Sequence, residues 1–304
     1  MMKSKVLVTG ATGLIGSALC ELLVSKGYDV HVLVRFDDEK QQSPYKAFKL
    51  DYDNNSIEDG ALDGVEYVVH LAGAPIAMRW TKFYKKLVID SRVISADIIQ
   101  AEIEKQNIRL KAFISASAVG YYGAITSDKI FVETDSPADD FLGKVCQAWE
   151  KKAQDFKNVA DRVVMLRTSG VLSDKGGLLA ELKEPIAKNS GSPLGSGKQY
   201  VPWIHIDDMC EMYLQAIEDN TMSGAYNAAT PEHITNKDLT KAVAKQLKKK
   251  LWFPNVPAFG LKIMFGEMAN LILKGSRVSS EKILKQRFQF KFPKLEDALK
   301  DLLK

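Results

Sequence analysis

An apolar run ending in three glycines spaced three apart, VLVTGATGLIG from Val6 to Gly16, constrains this chain more than any other stretch. The segment Lys5 to Thr9 is short, continuous and rich in β-branched residues, the pattern of a strand covered on both faces. Leu14 to Lys26 carries apolar side chains at helical spacing. A strand, a glycine turn and a helix in that order make a cradle for a dinucleotide phosphate. Gly10 is expected to reverse the chain where a Cβ would clash, Gly13 to let backbone approach a pyrophosphate, and Gly16 to let the helix pack on the strand. Thr12, Leu14 and Ile15 complete the cradle, and the helix N-terminus brings unpaired N–H groups and a partial positive charge to it.

The 304 residues suffice for one large domain, or a large one with a small one. Against 42 basic residues stand 38 acidic ones, for a net charge of +4. That balance supplies no field that would argue for nucleic acid or membrane, and a small-molecule substrate is the expected partner. Lys245, Lys248, Lys249 and Lys250 read as a solvated helix end. Cys20, Cys146 and Cys210 are odd in number and widely spaced, as reduced thiols are. His31, His70, His205 and His233 show no metal-ligand spacing. The first apolar run is the cradle strand and not a signal peptide, so a cytoplasmic protein is expected. From Val256 to Leu273, Lys262 and Glu267 interrupt an apolar stretch. Its Leu261, Met264, Phe265, Met268, Leu271 and Ile272 fall at helical spacing, which predicts one amphipathic packing helix rather than a membrane span.

Strand and helix patterns alternate over the first two thirds. Strands are expected at Lys5 to Thr9, Asp29 to Val34, Tyr45 to Leu50, Tyr67 to Leu71, Ala112 to Ala116 and Val163 to Arg167. Helices are expected at Leu14 to Lys26, Ile57 to Leu62, Thr81 to Lys105 and Asp139 to Asn158. The alternation predicts an α/β fold, a Rossmann-type doubly wound parallel sheet with a smaller C-terminal substrate or cap region. The dinucleotide-binding domain is expected over residues 1–170, with sheet-completing segments from 200–230. Residues 171–304 are expected to form a mixed substrate and cap region ending in helices separated by Pro254, Pro257, Gly275 and Pro293. The Gly-, Ser- and Pro-rich loop from Ser190 to Trp203 is where a substrate is expected to bind.

NAD-binding units place an Asp or Glu at the end of the second strand to bond the ribose 2′-hydroxyl. This chain has Arg35 there. A guanidinium clamps a 2′-phosphate with two charge-assisted bonds, so NADP(H) is the expected cofactor. Asp37 and Asp38 keep NAD as the alternative, since a two-residue loop shift brings a carboxylate to the ribose.

The motifs TGATGLIG, HLAG at His70 to Gly73, ISASAVGYYG at Ile114 to Gly123, LRTSGVL at Leu166 to Leu172, WIHIDD at Trp203 to Asp208 and YNAATP at Tyr226 to Pro231 extend over nearly the whole chain. Together they resemble the extended branch of the short-chain dehydrogenase/reductase superfamily. HLAGAPI, DSRV, FLGKVCQAWE, PLGSGKQY and PAFGLKIMFGEMANLIL look closer still to an atypical group labelled the epimerase family for its similarity to nucleotide-sugar epimerases. The resemblance implies that Leu71, Ala72 and Gly73 lie against the cofactor ribose and that Asp51 contacts the adenine amino group. Ser91 stands where the superfamily more often has Asn.

In that superfamily a Ser on the fifth strand and a Tyr-x-x-x-Lys pair on the next helix carry the proton transfer, the spacing of four putting both on one helix face. Ser117 fits the serine. Aligning the helix FLGKVCQAWEKK by Glu150 puts Leu142 and Cys146 at the pair, and a shift of one puts Phe141 and Val145 there. Lys144 is off the needed face. The one literal match, Tyr45 to Lys49, falls on the third strand, where alternate residues face opposite sides. Ser117 and Tyr122 are therefore the catalytic candidates, with Tyr121, Glu133 and His205 as further substitute acids. The plain alternatives are aromatic packing of the pocket wall and, for His205, ordering of its loop beside Asp207 and Asp208. Cys146, inside a helix, reads as an inert small apolar group. Two activities follow as expectations: an NADP(H)-dependent oxidoreductase or epimerase on a small or nucleotide-linked substrate, or a catalytically silent NADP(H)-binding sensor or scaffold. A homodimer paired through the two long helices is a further expectation.

Overall fold

Each apolar run of the first two thirds becomes a strand of one sheet, because a strand with helices on both faces must be apolar on both. The computed structural model describes residues 4–35 and 43–304. Its elements in chain order are β1 (Lys5–Thr9), α1 (Leu14–Ser25), β2 (Asp29–Val34), β3 (Lys46–Asp51), β4 (Ser56–Ile57), β5 (Val65–His70), α2 (Lys82–Lys105), β6 (Ala112–Ala118), β7 (Ile130–Phe131), α3 (Phe141–Asp155), β8 (Val163–Thr168), β9 (Gly170–Leu172), α4 (Gly177–Ala187), β10 (Trp203–His205), α5 (Ile206–Glu218), β11 (Gly224–Ala228), α6 (Asn236–Gln246), α7 (Ala258–Phe265), α8 (Ala269–Leu273), β12 (Arg277–Val278), α9 (Glu281–Lys285) and α10 (Leu295–Leu302).

The main sheet has the order β11-β8-β6-β5-β1-β2-β3-β4. All of its pairings are parallel except that of β3 with β4. The chain runs outward from β1 through β2 and β3, then returns to the other side of β1 with β5. That reversal opens a crevice beyond the carboxyl ends of β1 and β5, the place where ligands bind in such sheets. Successive side chains face opposite sides. Val6 and Val8 join the core beneath α1 and α5, whereas Leu7, Val68 and Phe113 join the one beneath α2 and α3.

Two parallel pairs stand outside the main sheet, β9 with β10 and β7 with β12. At one edge of the main sheet β4 has only two residues. On the other edge, side chains occupy the outward backbone of β11: Lys282 donates to the Ala225 carbonyl and Glu133 accepts from the Asn227 N–H.

The two long helices begin at side-chain caps, Thr81 accepting from Tyr84 N and Asp140 from Gly143 N. Two expected helices differ from the structure. Residues 57–62 are not helical, because Ser56–Ile57 pairs antiparallel with β3 and the chain then turns through Gly60 at φ 82°. Residues 256–273 do not form one helix. Gly266 takes φ 61° and divides them into α7, a 3₁₀ turn at Gly266–Met268, and α8. The break buries Leu261 and Met268 but leaves Met264, with Phe259 and Ile263, exposed to solvent. Phe265 and Leu271 pack around Trp80 and Leu142 instead.

The Ser190 to Trp203 loop is tied to this broken segment. Val256 N donates to Pro193 O, Gly195 N to Val256 O, and the buried Gln199 amide to the carbonyls of Leu194 and Ile272.

Candidate functional site

The glycine turn closes on itself before it meets any ligand. Gly10 has φ 68°, and a Cβ there would lie 2.9 Å from the Leu71 carbonyl carbon. On Gly16 a Cβ would meet the Gly10 carbonyl oxygen at 2.1 Å, so α1 starts in direct contact with the turn. The Thr9 hydroxyl oxygen accepts from both Leu71 N and Ala72 N at 3.0 Å, which ties the ends of β1 and β5. Thr12 and Gly13 are exposed in the crevice.

Helix starts in this chain are of two kinds, capped by a side chain or left uncapped. Side chains cap α2, α3, α5 and α6, through Thr81, Asp140, His205 and Thr235. By contrast, α1 starts at Gly13 with no side-chain cap and no acidic residue in its first turn; α4, α7 and α8 also lack both, and of these α1 alone begins on the glycine turn at the end of β1. Its leading N–H groups and the positive end of its dipole are left for an anion. A dinucleotide diphosphate fits that arrangement. Gly176 and Gly177, at the start of α4, come onto Leu14 at the same turn, where a Cβ on Gly177 would approach the Leu14 side chain to 3.0 Å. Sequence reasoning passed over this glycine pair; its signal was a Gly-Gly at the end of the loop between the short strand Gly170–Leu172 and the next helix.

Around the crevice, Ala72 and Leu71 are half-buried and Gly73 is exposed. Ser91 holds the loop that follows, accepting from Ala74 N at 2.9 Å and donating to Val88 O. Arg35 lies exposed just past β2, and its charge acts on the Tyr52 phenol. Asp37 and Asp38 lie outside the described residues. The Asp51 carboxylate accepts from Asp53 N and from Asn54 N and Nδ2, and those bonds hold its pKa below the usual carboxylate range.

At the end of β6 the arrangement is closed. Ser117 donates to Glu150 Oε1 at 2.7 Å. Arg167 grips the same carboxylate with two bonds, Nε to Oε1 at 2.7 Å and Nη2 to Oε2 at 2.8 Å, and both side chains are almost fully buried. Burial works against the Arg167 charge, and bonding to Glu150 outweighs it, so its pKa is raised. Arg167 Nη1 donates to the Tyr122 phenol, which donates to Asn227 Oδ1 at 2.7 Å. Burial pushes the Tyr122 pKa up to about 12, although Arg167 pulls the other way. Tyr121 is half-buried and lies flat under the Arg167 guanidinium, 3.4 Å from its carbon to the ring centroid.

The buried face of α3 that carries Glu150 also carries Leu142 and Cys146. Leu142 and Cys146 face the loop after β6, within 3.4 Å and 3.8 Å of a Cβ built on Gly120. Lys144 points outward, and Phe141 packs edge-on against Trp80. Burial pushes the Cys146 thiol up to about 12, so it stays protonated. His205 lies elsewhere, its Nδ1 accepting from Asp207 N at the start of α5 while its ring packs on Phe292. Glu133 accepts from Asn227 N through Oε1.

Sequence reasoning did not reach the Glu150–Arg167 pair. Its traces were present: Arg167 is a single charge in an otherwise apolar strand, and Glu150 follows Cys146 by four residues on the buried side of α3.

A family model described as the NAD dependent epimerase/dehydratase family matches residues 6–229. The chain belongs to this family. A second model, a domain of unknown function called DUF1731, matches residues 256–302, the part holding the broken helix. The epimerase family protein YfhF of Bacillus subtilis is 32% identical over 297 residues, covering 97% of each chain. A chloroplastic homologue of epimerase family protein SDR39U1 from Arabidopsis thaliana is 32% identical over 97% of this chain and 86% of its own. The crystal structure of human epimerase family protein SDR39U1 with NADPH superposes with a TM-score of 0.88 at 29% identity, covering 98% of this chain and 99% of the human one. More distant solved structures, such as the Bacillus cereus UDP-glucuronic acid 4-epimerase at 20% identity and a TM-score of 0.78, share the fold. No helix among the described residues is long and apolar enough to cross a membrane.

Proposed function

We propose that this chain binds NADP(H) at the β1–α1 turn and acts as an oxidoreductase or epimerase on a small or nucleotide-linked substrate. The observation that carries the reading is the uncapped, acid-free start of α1 over the glycine turn. Two others support it: Arg35 stands at the end of β2 where NAD requires a carboxylate, and the human relative was crystallised with NADPH.

When bound, NADPH supplies a hydride. The chain's own residues do the rest. The N–H groups of the first turn of α1 hold the diphosphate, Arg35 pairs with the 2′-phosphate, and the Leu71 to Gly73 backbone lines the ribose. Leu142 has no proton to give and the Cys146 thiol, pushed up to about 12 by burial, keeps its own, so the proton that accompanies reduction of a carbonyl comes from water or from the substrate side. Ser117 donates to Glu150 and orders the loop beside the reacting atoms.

That same bond favours a second reading, a binding sensor or scaffold without turnover, since the serine hydroxyl is already committed. Calorimetry with NADPH and NADH tests the cofactor. The wild type is expected to bind NADPH at least about ten-fold more tightly, the worth of one charge-assisted pair, and Arg35→Glu is expected to abolish the difference. Equal wild-type affinities overturn the NADP(H) assignment. A screen of carbonyl and sugar-nucleotide substrates followed by NADPH absorbance separates the two readings, since one genuine turnover eliminates the sensor.

A further inference from the structure

Arg92 occupies a position where a helix normally places an apolar residue. The buried side of α2 runs Val88, Arg92, Ser95, Ala96, Ile99 and Ile103, so at 8% exposure this guanidinium is part of the interior. It lies over the Trp149 indole, 4.6 Å from its carbon to the ring centroid. On its other side is the backbone of Gly73, where a Cβ would come within 2.8 Å of that carbon. Nη1 donates to the carbonyls of Ala74 and Val88, and Nε, also buried, meets no acceptor. Among the described residues Arg92 has no carboxylate within ion-pair distance. Arg162, the other buried arginine without one, is accounted for differently, since its Nη atoms close the end of α5 through the carbonyls of Ala216, Ile217 and Met222.

The surroundings of Arg92 give its charge a direction. Cys146, which takes the place of the superfamily's lysine when α3 is aligned by Glu150, lies one helical turn before Trp149 on α3 and feels the Arg92 charge. Glu150 is neutralised by Arg167. Arg92 is therefore the uncompensated charge between Gly73 and the face of α3 that carries Cys146 and Trp149.

We propose that Arg92 is the residue that sets which redox form of the cofactor this site prefers: its fixed positive charge, brought from α2 in place of the lysine missing from α3, disfavours the cationic oxidised nicotinamide and leaves the neutral reduced ring unopposed. The inference rests on the NADP(H) reading of the site. A unit charge several ångströms from another, in a partly buried setting, changes a binding ratio by about ten-fold or more.

The test is calorimetric titration of the wild type, Arg92→Lys and Arg92→Gln with NADPH and with NADP⁺. The wild type is expected to bind NADPH about ten-fold more tightly than NADP⁺. Arg92→Lys should keep that preference, and Arg92→Gln should bring the two affinities within about three-fold of one another. Equal affinities in the wild type, or an unchanged ratio in Arg92→Gln, overturn the proposal. Should Arg92→Gln fail to fold, the wild-type ratio decides. A wild type that binds neither form overturns the cofactor reading itself, an outcome distinct from equal binding of both.

Discussion

At the carboxyl end of β1 the chain places glycines and an uncapped helix. At the carboxyl end of β6, two strands away in the same sheet, it places Ser117, Leu142, Cys146 and the Glu150–Arg167 pair. The first region leaves backbone N–H groups for something outside the chain. The second satisfies nearly every polar atom from within. On the proposed reading the cofactor cradle is kept, while the strand end expected to carry the family's proton transfer holds a buried ion-pair network instead. On that reading binding and chemistry are separable, because they depend on different strand ends.

The sharpest way to break the contrast is Glu150→Gln. It leaves Arg167 buried without its carboxylate, and the expected loss is about 3–5 kcal/mol in urea unfolding, because a removed partner exposes the full desolvation cost of the other. The double variant Glu150→Leu with Arg167→Met should recover much of that loss. If Glu150→Gln unfolds like the wild type, the network is not the closed element described.

Gly16→Ala tests the open side. Its Cβ would clash with the Gly10 carbonyl, with an expected cost of about 1–3 kcal/mol and a measurable loss of NADPH affinity. Glu150→Gln, where it still folds, should leave that affinity within about three-fold of the wild type, because the pair does not touch the cradle.

His70 links the regions, lying at the end of β5 with Nε2 bonded to Ser95 at 2.8 Å. Burial, then the Arg92 charge, lower its pKa from 6.5 to about 3. Between those values the unfolded chain holds a proton that the native chain lacks. Its contribution is therefore complete above about pH 6.5 and is lost as the pH falls toward about 3, at up to about 1.4 kcal/mol for each pH unit. Urea midpoints from pH 7 down to 4.5 should fall more steeply for the wild type than for His70→Gln. The smallest effect is expected from Ser117→Ala, about 1 kcal/mol with NADPH affinity unchanged, since Arg167 still holds both oxygens of Glu150. A large drop in affinity would place the serine in the cofactor site after all.

The strands were legible because burial on both faces writes continuous apolar runs, and the starts of α2 and α3 because Thr81 and Asp140 cap them. The glycine cradle was legible because each glycine answers a local steric demand. What escaped was set at long range. Residues 57–62 read as a short helix until β3 offered Ile57 a ladder partner, and the left-handed turn at Gly266 has no local marker that separates it from an ordinary helical glycine. The pairing of Glu150 with Arg167 spans an entire helix-to-strand crossover, and no spacing rule connects them.

The side chains on the outer edge of β11 have a consequence for life at high concentration. Lys282 and Glu133 occupy the carbonyl of Ala225 and the N–H of Asn227, and at the far edge β4 gives an incoming strand only two residues to grip. An eight-stranded sheet with open edges is a template for its own polymerisation. Here both margins are blunted, so the native molecule resists growing into ribbons with its neighbours.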